Sequence, residues 1–438
     1  MNQDLNAGAL SWPKVTALGV AIAISGNFVG WNYGLGVGGW GGMTTAAVAM
    51  VVLFWCLTQC LAELAAAMPE GGGFDHYVRR ALGPGAGFIA GMAVAIALAV
   101  GAGLGLSFAQ GYTESMFGLG GWWLKVSLLV AVVGLQLRGA HEAGGITLAI
   151  GALIVLVLVV LLLYLAPQFD AANLRSVVNL AAPTLLPGGW KGAAACIPFA
   201  LFLFLGVEQA AHAATEMRDM ARNISKAMGT SIAVAGILGL SVLLIVTGSA
   251  GADHLAGVAD PLFAAVMVHG QASWANGIAR FVGTGALVAI MGTFFSLAYA
   301  GSRQFYHLAQ AGCLPAVFHH TNQRRAPDAA LLLLAAIAIV TAGFKADDAM
   351  VVFIFLISVS HFFVLLTFIR LRTTAPAMSR PYRAKGGVAV AAIATLLSLA
   401  VMVSCYQLQV RALSIAIAGL VLLWLFFVIR KPGDTRGA

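Results

Sequence analysis

The chain of 438 residues is 61% hydrophobic and only 9% charged, with a mean hydropathy of +0.93 and a formal net charge of +8. Soluble domains carry roughly 25% charged residues, so this composition excludes a soluble globular protein. The positive net charge does not require a nucleic acid partner, because basic residues placed beside anionic lipid also give a membrane protein a positive net charge. The closest cysteines, Cys56 and Cys60, have no His or further Cys at ligand spacing. We therefore expect no metal and no cofactor.

Long stretches without Asp, Glu, Lys or Arg predict membrane-spanning helices. Residues 81–113 and 143–169 are two examples, and a helix needs about 20 apolar residues to cross the hydrocarbon. The first apolar stretch is too long for a cleavable signal peptide and lacks a small-residue cleavage site. We predict twelve spans, at 15–36, 42–66, 85–113, 122–137, 143–165, 192–214, 227–249, 281–301, 329–344, 349–370, 386–406 and 411–429.

The distribution of Lys and Arg predicts the orientation of these spans. If the N-terminus is cytoplasmic and twelve spans alternate, 18 of the 24 basic residues lie on the cytoplasmic side and 6 on the other. Cytoplasmic loops of membrane proteins carry such an excess of Lys and Arg. The sequence therefore predicts an integral protein of a bacterial-type cytoplasmic (inner) membrane, with both termini in the cytoplasm.

The first predicted span contains residues that break helices. The stretch AISGNFVGWNYGLGVGGWGGM, residues 23–43, holds eight glycines and two asparagines. Non-helical backbone at membrane depth survives only inside protein or beside water. Transporters use half-helix ends of this kind to hold substrates and ions near the bilayer midplane. The alternative is that Gly26 and Gly30, four residues apart, only allow helices to pack closely.

The sixth predicted span carries a second set of interrupting and polar residues. It reads CIPFALFLFLGVEQAAHAATEMRD from residue 196 and contains Pro198, Gly206, Glu208 and His212. A carboxylate inside a membrane is costly and marks a functional site by default. Spans one and six correspond if spans one to five and six to ten form two repeats, and paired interrupted helices at such positions indicate a transport site.

Four motifs, taken in their order along the chain, resemble the amino acid–polyamine–organocation (APC) superfamily. Within that superfamily they resemble the ethanolamine permeases most closely. SGNFVGWNYGL with the following GGWGG, within residues 25–42, is similar to the first helix and loop of those permeases. FLGVE at 204–208 is similar to the unwound part of the sixth helix. The most specific block of the superfamily is similar to ELAAAMPEGGGFDHYVRRALGPGAGFIAG at 63–91, and the loop after the eighth helix to SRQFYHLAQAGCLP at 302–315.

The resemblance implies an all-α integral membrane fold with a LeuT-like five-plus-five inverted repeat. Twelve transmembrane helices would form one domain over residues 1–438, with discontinuous helices 1 and 6. The first repeat would cover 1–165, the second 190–370, and two trailing helices 386–430. The family further implies secondary active transport by alternating access, with protons as the usual coupling ion, and no enzymatic activity.

Two departures from the superfamily pattern bear on the substrate and on its coupling. Amino acid carriers usually have a Gly-Ser/Thr-Gly turn in helix 1 that cradles a carboxylate, whereas this chain has Ser25-Gly26-Asn27. The departure favours a small amine or amino alcohol such as ethanolamine over an amino acid, although ethanolamine permeases often carry Glu at the position of Asn27. The fifth span lacks the Lys of many proton-coupled relatives, so a proton carrier lies elsewhere or the protein exchanges solutes.

Each candidate residue has a functional and a purely structural interpretation. Glu208 pairs with a substrate ammonium or carries a proton, or it only closes the unwound backbone by a hydrogen bond. Trp31 forms an outer gate or anchors the helix at the membrane interface. His361 and Ser358 line the pathway or bond neighbouring helices. The candidates for substrate binding are Ser25, Gly26, Asn27, Phe28, Gly30, Phe199, Phe202, Phe204, Gly206, Val207, Glu208, Phe294, Ser296 and Ser358, and those for proton coupling or gating are Glu208, His212, Trp31 and His361.

The sequence thus predicts a secondary transporter of a small amine, with an amino acid permease or antiporter of the same superfamily as the alternative. A channel would lack a substrate-sized occluded pocket. A membrane-embedded enzyme would need clustered His, Asp or metal ligands, and the histidines here are scattered. No GxxxxGK[ST] motif is present, so the chain itself does not bind ATP through a P-loop. The sequence does not indicate an oligomeric state.

Overall fold

The structure is a computed structural model that describes residues 11–68, 74–138, 143–175, 184–209, 217, 219–270 and 273–430. Within these ranges the chain is all-helical and contains no β-strand. The α-helices are α1 (Trp12–Ala23), α2 (Leu35–Ala67), α3 (Phe74–Leu82), α4 (Pro84–Phe117), α5 (Trp122–Leu137), α6 (Ala143–Leu165), α7 (Gly189–Ala195), α8 (Ile197–Leu201), α9 (Met220–Ala250), α10 (Ala252–Leu255), α11 (Pro261–Met267), α12 (Ser273–Gln310), α13 (Asp328–Thr341), α14 (Ala346–Thr374), α15 (Gly387–Leu408) and α16 (Val410–Arg430).

Eight helices of the described ranges are long and apolar enough to cross a membrane. Two further apolar helices, α5 and α13, are shorter. This finding confirms the all-α membrane class that the composition predicts. The eight candidate spans are Trp31–Ala67, Pro84–Phe117, Ile150–Gln168, Arg222–Ala250, Ala275–Gln310, Ala346–Thr374, Gly387–Leu408 and Val410–Ile429.

The ends of these helices follow local chemistry. α4 begins with Pro84 at its first position, where the missing N–H costs nothing, and ends at Gly118 in the left-handed conformation (φ 67°). α14 has Asp347 and Asp348 in its first turn and Arg372 in its last. These charges are matched to the helix dipole, because negative side chains favour the N-terminus and positive ones the C-terminus.

The helix boundaries differ from the sequence prediction in three places. The first and second predicted spans are joined by a bend at Gly39 (φ 66°, ψ −172°) inside α2 rather than by a loop. The connection at 250–280 contains the short helices α10 and α11. α12 continues to Gln310, nine residues beyond its predicted end at 301. Hydropathy does not detect such an extension, because the added turns carry polar residues.

The core is built around α4, which packs against α12, α13 and α14. α4 is rich in small residues, and a Cβ added at Gly103 would lie 2.5 Å from the carbonyl oxygen of Ala338. Such small residues allow helices to approach closely where the surrounding lipid offers no hydrophobic driving force for association. In addition, α9 packs against α1 and α2, and α15 packs against α2 and α14.

Candidate functional site

The first helical stretch is interrupted between Ala23 and Leu35. α1 ends at Ala23, a 3₁₀ turn follows at Ile24–Asn27, and a second one covers Trp31–Gly34. Gly30 lies between them with φ 95°, a conformation that favours glycine. The sequence prediction of a break in this stretch therefore agrees with the observed backbone.

Side chains satisfy the carbonyl groups that this interruption frees. Trp31 Nε1 donates to the carbonyl oxygen of Asn27 at 3.0 Å, and the Tyr112 hydroxyl donates to that of Phe28 at 2.9 Å. Both donors are fully buried. Of the two interpretations of Trp31, burial argues against the membrane-interface anchor, because the side chain is enclosed by protein, and the outer gate stays a prediction.

A second interruption lies between α8 and the 3₁₀ turn Val207–Gln209. The chain leaves α-helical geometry after Leu201 and passes through Gly206, which has φ 99°. The carboxylate of Glu208 accepts a hydrogen bond from the backbone N–H of Gly206 at 2.9 Å. One oxygen of this buried side chain therefore closes the unwound backbone, as the structural interpretation predicts.

The two interruptions are in direct contact. A Cβ built on Gly26 would overlap the carbonyl oxygen of Phe202, and one on Gly30 would lie 2.7 Å from the Phe202 ring. Backbone of the first break thus rests on backbone of the second, an approach that only glycine permits. Gly26 therefore allows close packing of the two segments, and Gly30 takes a backbone conformation that interrupts the helix.

Glu208 also faces a residue from α14. The Nε2 atom of His361 lies 3.9 Å from the Oε1 atom of Glu208, and both side chains are buried. This separation exceeds hydrogen-bond length, so the two side chains face each other without a direct hydrogen bond between these atoms. The His361 ring stands edge-on to Phe54 of α2, with ring centroids 6.0 Å apart, and Phe54 in turn packs against Phe204 at 6.0 Å.

Several buried polar atoms around this point have no hydrogen-bond partner among the described residues. Asn27 donates its amide to the carbonyl oxygen of Ile24 at 3.2 Å, but its Oδ1 atom is unpaired. That oxygen points toward α9, where a Cβ on Gly239 would lie 3.2 Å from it. Buried polar groups are almost always paired in native proteins, so these atoms have hydrogen-bonding capacity left over. On α14 the unpaired atoms are Ser358 Oγ, Ser360 Oγ and His361 Nδ1.

Aromatic side chains enclose the contact between the breaks. Phe202 packs edge-on against Phe353 of α14 at 5.9 Å, and Phe199 stacks on Tyr33 at 6.4 Å. Phe28 and Val207 are fully buried. Ser25 is half-buried within the first 3₁₀ turn.

Two predicted site residues among the described ones are not joined to this cluster. Ser296 is exposed, and its hydroxyl donates to the carbonyl oxygen of Gly292 in its own helix at 2.9 Å. Phe294 is buried against α4, where a Cβ on Gly105 would lie 3.1 Å from it. The predicted placement of Ser296 along the pathway therefore finds no support in its contacts. His212 lies outside the described residues.

Tyr112 and Phe54 contribute to the site but escape sequence reasoning. Tyr112 stands near the end of a long apolar span, where a single tyrosine resembles an interface anchor. Phe54 is one of many phenylalanines in apolar helices. Within the described ranges no group of three or more His, Cys, Asp or Glu side chains could hold a metal ion.

The segment 251–260 lies against the first interruption. Asn32 donates to the carbonyl oxygens of Leu255 at 2.8 Å and Val258 at 2.7 Å. Asp260, which precedes α11, is 6% exposed. Burial raises the pKa of its carboxyl group above the ordinary value of 3.8, although a hydrogen bond with Ser115 opposes the shift.

Comparison with known proteins places this arrangement in a family. The sequence model of the amino acid permease family matches residues 10–427. The chain belongs to the amino acid permease family, part of the APC superfamily. It is therefore a membrane transporter rather than an enzyme, as the sequence predicts.

Individual relatives of this permease are distant. A probable GABA permease of Pseudomonas aeruginosa is 25% identical over 394 residues, which cover 87% of this chain and 81% of the relative. An uncharacterised transporter of Rhizobium meliloti is 25% identical over 346 residues, or 77% and 73% of the two chains. A branched-chain amino acid permease of Lactococcus lactis is 25% identical over 301 residues, or 65% and 64%.

Proposed function

We propose that this permease is a secondary active transporter that moves a small amine or amino alcohol such as ethanolamine across the cytoplasmic membrane. The observation that carries the proposal is the direct contact between two helix interruptions, beside which the buried Glu208 and Asn27 lie. Half-helix ends at such a point expose backbone groups to a small solute. Alternating access around this point would deliver the solute to either side.

The proposed architecture has twelve spans in a five-plus-five inverted repeat, followed by two trailing helices. The interruptions support it, because one begins after Ala23 and the other after Leu201, within the first predicted span of each repeat. The eight long helices and the two shorter apolar ones supply ten further segments consistent with this count. We also propose the orientation with both termini in the cytoplasm, from the excess of basic residues on that side.

The charges of the site favour a cationic group on the substrate. Residues 15–62, 192–217 and 346–369, which contain the two interruptions and the adjoining part of α14, have no Lys or Arg. Glu208 supplies a carboxylate, and Asn27 Oδ1 and the Ser358 hydroxyl supply acceptors without partners among the described residues. An ammonium group matches these acceptors, and Phe202 adds an aromatic face for cation–π attraction. The substrate carboxylate of an amino acid finds no matching cation in those segments.

An amino acid remains the second candidate, because relatives of this chain include a probable GABA permease and a branched-chain amino acid permease. In that case the N–H groups of the unwound backbone would donate hydrogen bonds to the carboxylate of the amino acid. Protons are the proposed coupling ion. Glu208 would accept the proton, with His361 near enough at 3.9 Å to respond to its charge.

The proposal predicts that ethanolamine stabilises the purified protein and that Glu208→Gln abolishes this effect. A ligand at 100 times its Kd stabilises the folded state by about 2.7 kcal/mol. We expect the unfolding midpoint to rise with ethanolamine and to rise less with 4-aminobutyrate or leucine. Glu208→Gln removes the negative charge that attracts ammonium, whereas the exposed Ser296→Ala, used as a matched control, leaves the rise intact. Thermal unfolding of detergent-solubilised protein measures each shift.

Two results would contradict the proposal. If only carboxylate-bearing compounds raise the midpoint, the amine is the wrong substrate class and the amino acid alternative stands. If Glu208→Gln responds to ethanolamine as the unmodified protein does, Glu208 does not bind the ammonium group. Uptake of radiolabelled ethanolamine into proteoliposomes, driven by an inward proton gradient, separates a coupled carrier from a channel, since only a carrier accumulates the solute against its concentration gradient.

A further inference from the structure

A buried charged network joins the ends of α2 and α14 on the side predicted to be cytoplasmic. Glu63, near the end of α2, is 2% exposed. Its Oε2 atom accepts hydrogen bonds from Arg372 at 2.6 Å and from the backbone N–H of Ala384 at 2.7 Å. Its Oε1 atom lies 3.2 Å from Nε of Arg380. One carboxylate thus binds the last turn of α14 and two points of the segment that follows.

Arg380 binds α14 as well as Glu63. Its guanidinium donates to the carbonyl oxygens of Leu371 at 2.8 Å and Ala375 at 2.9 Å, and to that of Met378 at 3.0 Å. The Leu371 carbonyl lies in the last turn of α14 and also accepts the N–H of Ala375, so Arg380 adds a second donor at the end of this helix, where carbonyl groups need partners. The planar guanidinium with its five donors suits this combination of carbonyl and carboxylate partners.

A second tie connects the same segment to α9. The Tyr382 hydroxyl donates a hydrogen bond to Oε1 of Gln59, one turn before Glu63 on α2. Ser225, near the start of α9, donates to the same oxygen at 3.2 Å. Burial raises the pKa of the Tyr382 phenol above its ordinary value of 10.0, so it stays protonated and able to donate at physiological pH.

Residues 375–386, here named the strap, therefore connect three helices through buried polar contacts. Releasing the strap would leave Glu63 as a buried charge without its partners, which is strongly destabilising. It would also remove the Arg380 donor from the end of α14. A strap that stays closed keeps these contacts and avoids that cost.

The strap also acts on the proposed substrate site. α14 carries Ser358 and His361, and α2 carries Phe54, against which the His361 ring packs. A fixed connection between the ends of α2 and α14 keeps these side chains in register while the helix interruptions change shape. Side-chain register of this sort decides function, because small misplacements at a site have large effects.

We propose that the strap is a permanent connection that makes α2, α9 and α14 move as one body, with Glu63 as its positioning residue. This inference rests on the proposed transport function for its consequence, but its physical content is the constant geometry of the strap. The alternative is a latch that opens in each cycle.

A covalent bridge across the strap distinguishes the two cases. Gln59→Cys and Tyr382→Cys are introduced together into a chain whose five native cysteines are replaced, and a short bifunctional thiosulfonate reagent joins them. Uptake of radiolabelled ethanolamine into proteoliposomes is measured before and after bridging, with each single-cysteine variant treated identically as the control. A permanent strap predicts that bridged protein keeps at least half of the uptake. A fall below half that reduction of the bridge reverses would overturn the proposal.

A distance measurement decides the question even if ethanolamine is not transported. If the chain that keeps Gln59 and Tyr382 takes up no ethanolamine, the proposed function fails, and the strap is then judged from spin labels at Lys226→Cys on α9 and Arg383→Cys in the strap. Both positions are exposed. A single narrow distance in nanodiscs, unchanged between pH 5 and pH 8 and with or without ethanolamine, supports a permanent strap. Two distances would identify an opening latch and overturn the inference.

Discussion

Glu208 has two carboxylate oxygens in different surroundings. Oε2 accepts the backbone N–H of Gly206, which the unwound helix leaves without a helical partner, and Oε1 faces His361 at 3.9 Å. The first contact is structural and fixes the carboxylate at the interruption. The second leaves an oxygen directed toward α14, where it would meet a substrate ammonium or a proton. The structural interpretation of Glu208 thus rests on an observed hydrogen bond, and its role toward substrate or proton stays a prediction.

Gly26 is the residue at which the contact between the two interruptions is most sensitive to size. A Cβ there would overlap the carbonyl oxygen of Phe202, which is backbone and cannot rotate away. Overpacking a buried position costs about 1–3 kcal/mol, and more where backbone must move. We therefore expect Gly26→Ala to lower the unfolding midpoint by several degrees and to abolish ligand stabilisation.

Gly134→Ala is the matched control for this substitution. It adds the same methyl group to a glycine in α5 that has no atom within 4 Å of the new Cβ. Replacing glycine by alanine inside a helix is favourable by up to about 1 kcal/mol. Thermal unfolding in detergent compares the two variants. Equal midpoints for Gly26→Ala and Gly134→Ala would show that the two interruptions do not touch.

The sequence identifies those residues of this site whose polarity or backbone preference does not suit an apolar helix. Asn27 and Glu208 are polar within apolar spans, and Gly30 lies among other helix breakers, so each is visible without a structure. For Trp31 and Ser296 the sequence reveals neither burial nor the direction in which the side chain points. Trp31 proves to be a buried donor to the Asn27 carbonyl, and Ser296 is exposed.

The short helices α10 and α11 and the turn between them are held by polar contacts. Asn32 holds this segment through two carbonyl groups, and Asp260 is buried at the start of α11. Burial raises the Asp260 pKa, so the folded protein binds this proton more tightly than the unfolded chain. As the pH rises above the ordinary value of 3.8, the unfolded chain loses the proton first, and stability falls until the folded carboxyl group is also ionised.

Asp260→Asn is expected to remove this pH dependence. The amide is neutral at every pH and can still accept the Ser115 hydroxyl, so the cost of burying a charge disappears. The unfolding midpoint of the variant should exceed that of the unmodified protein at pH 8, and the difference should shrink toward pH 4. Glu114→Gln, which neutralises an exposed carboxylate at the end of α4, serves as the control. A constant difference across this pH range would contradict the assignment.

Long helices could be predicted from the sequence, and their exact ends could not. Hydropathy detects α4, α14 and α16 because each is apolar over at least one membrane thickness. It does not detect α10 and α11, which are short, or the bend at Gly39 inside α2. Those features depend on contacts with other segments: a Cβ on Gly39 would lie 2.5 Å from Pro187, which is far away in the chain.

At the scale of the whole molecule, the asymmetry of basic residues predicts which ends face the cytoplasm. Single cysteines placed at exposed basic positions test this orientation in a chain without native cysteines, all five of which are buried. We expect a membrane-impermeant maleimide to label Lys191→Cys and Arg411→Cys in intact cells. Arg324→Cys and Arg383→Cys should react only after the membrane is permeabilised, because positive-inside topology keeps them in the cytoplasm.

Reversed labelling would invert the proposed orientation, and labelling of all four positions in intact cells would contradict the predicted alternation of the spans that lie between them. The four positions are exposed, so access of the reagent does not depend on opening of the protein. The same experiment shows whether the strap lies on the cytoplasmic side, since Arg383 is part of it.

The sequence by itself determined the membrane class, the family and the existence of two helix breakers, because these follow from composition and from local residue order. A stretch of apolar residues has no stable alternative to a helix in lipid, and a glycine with positive φ needs no distant partner. Only the tertiary structure decided that Gly26 rests on Phe202, that His361 faces Glu208, and that Glu63 binds Arg372 and Arg380. These pairs are separated by many residues, and their contacts arise from helix packing, which hydropathy does not encode.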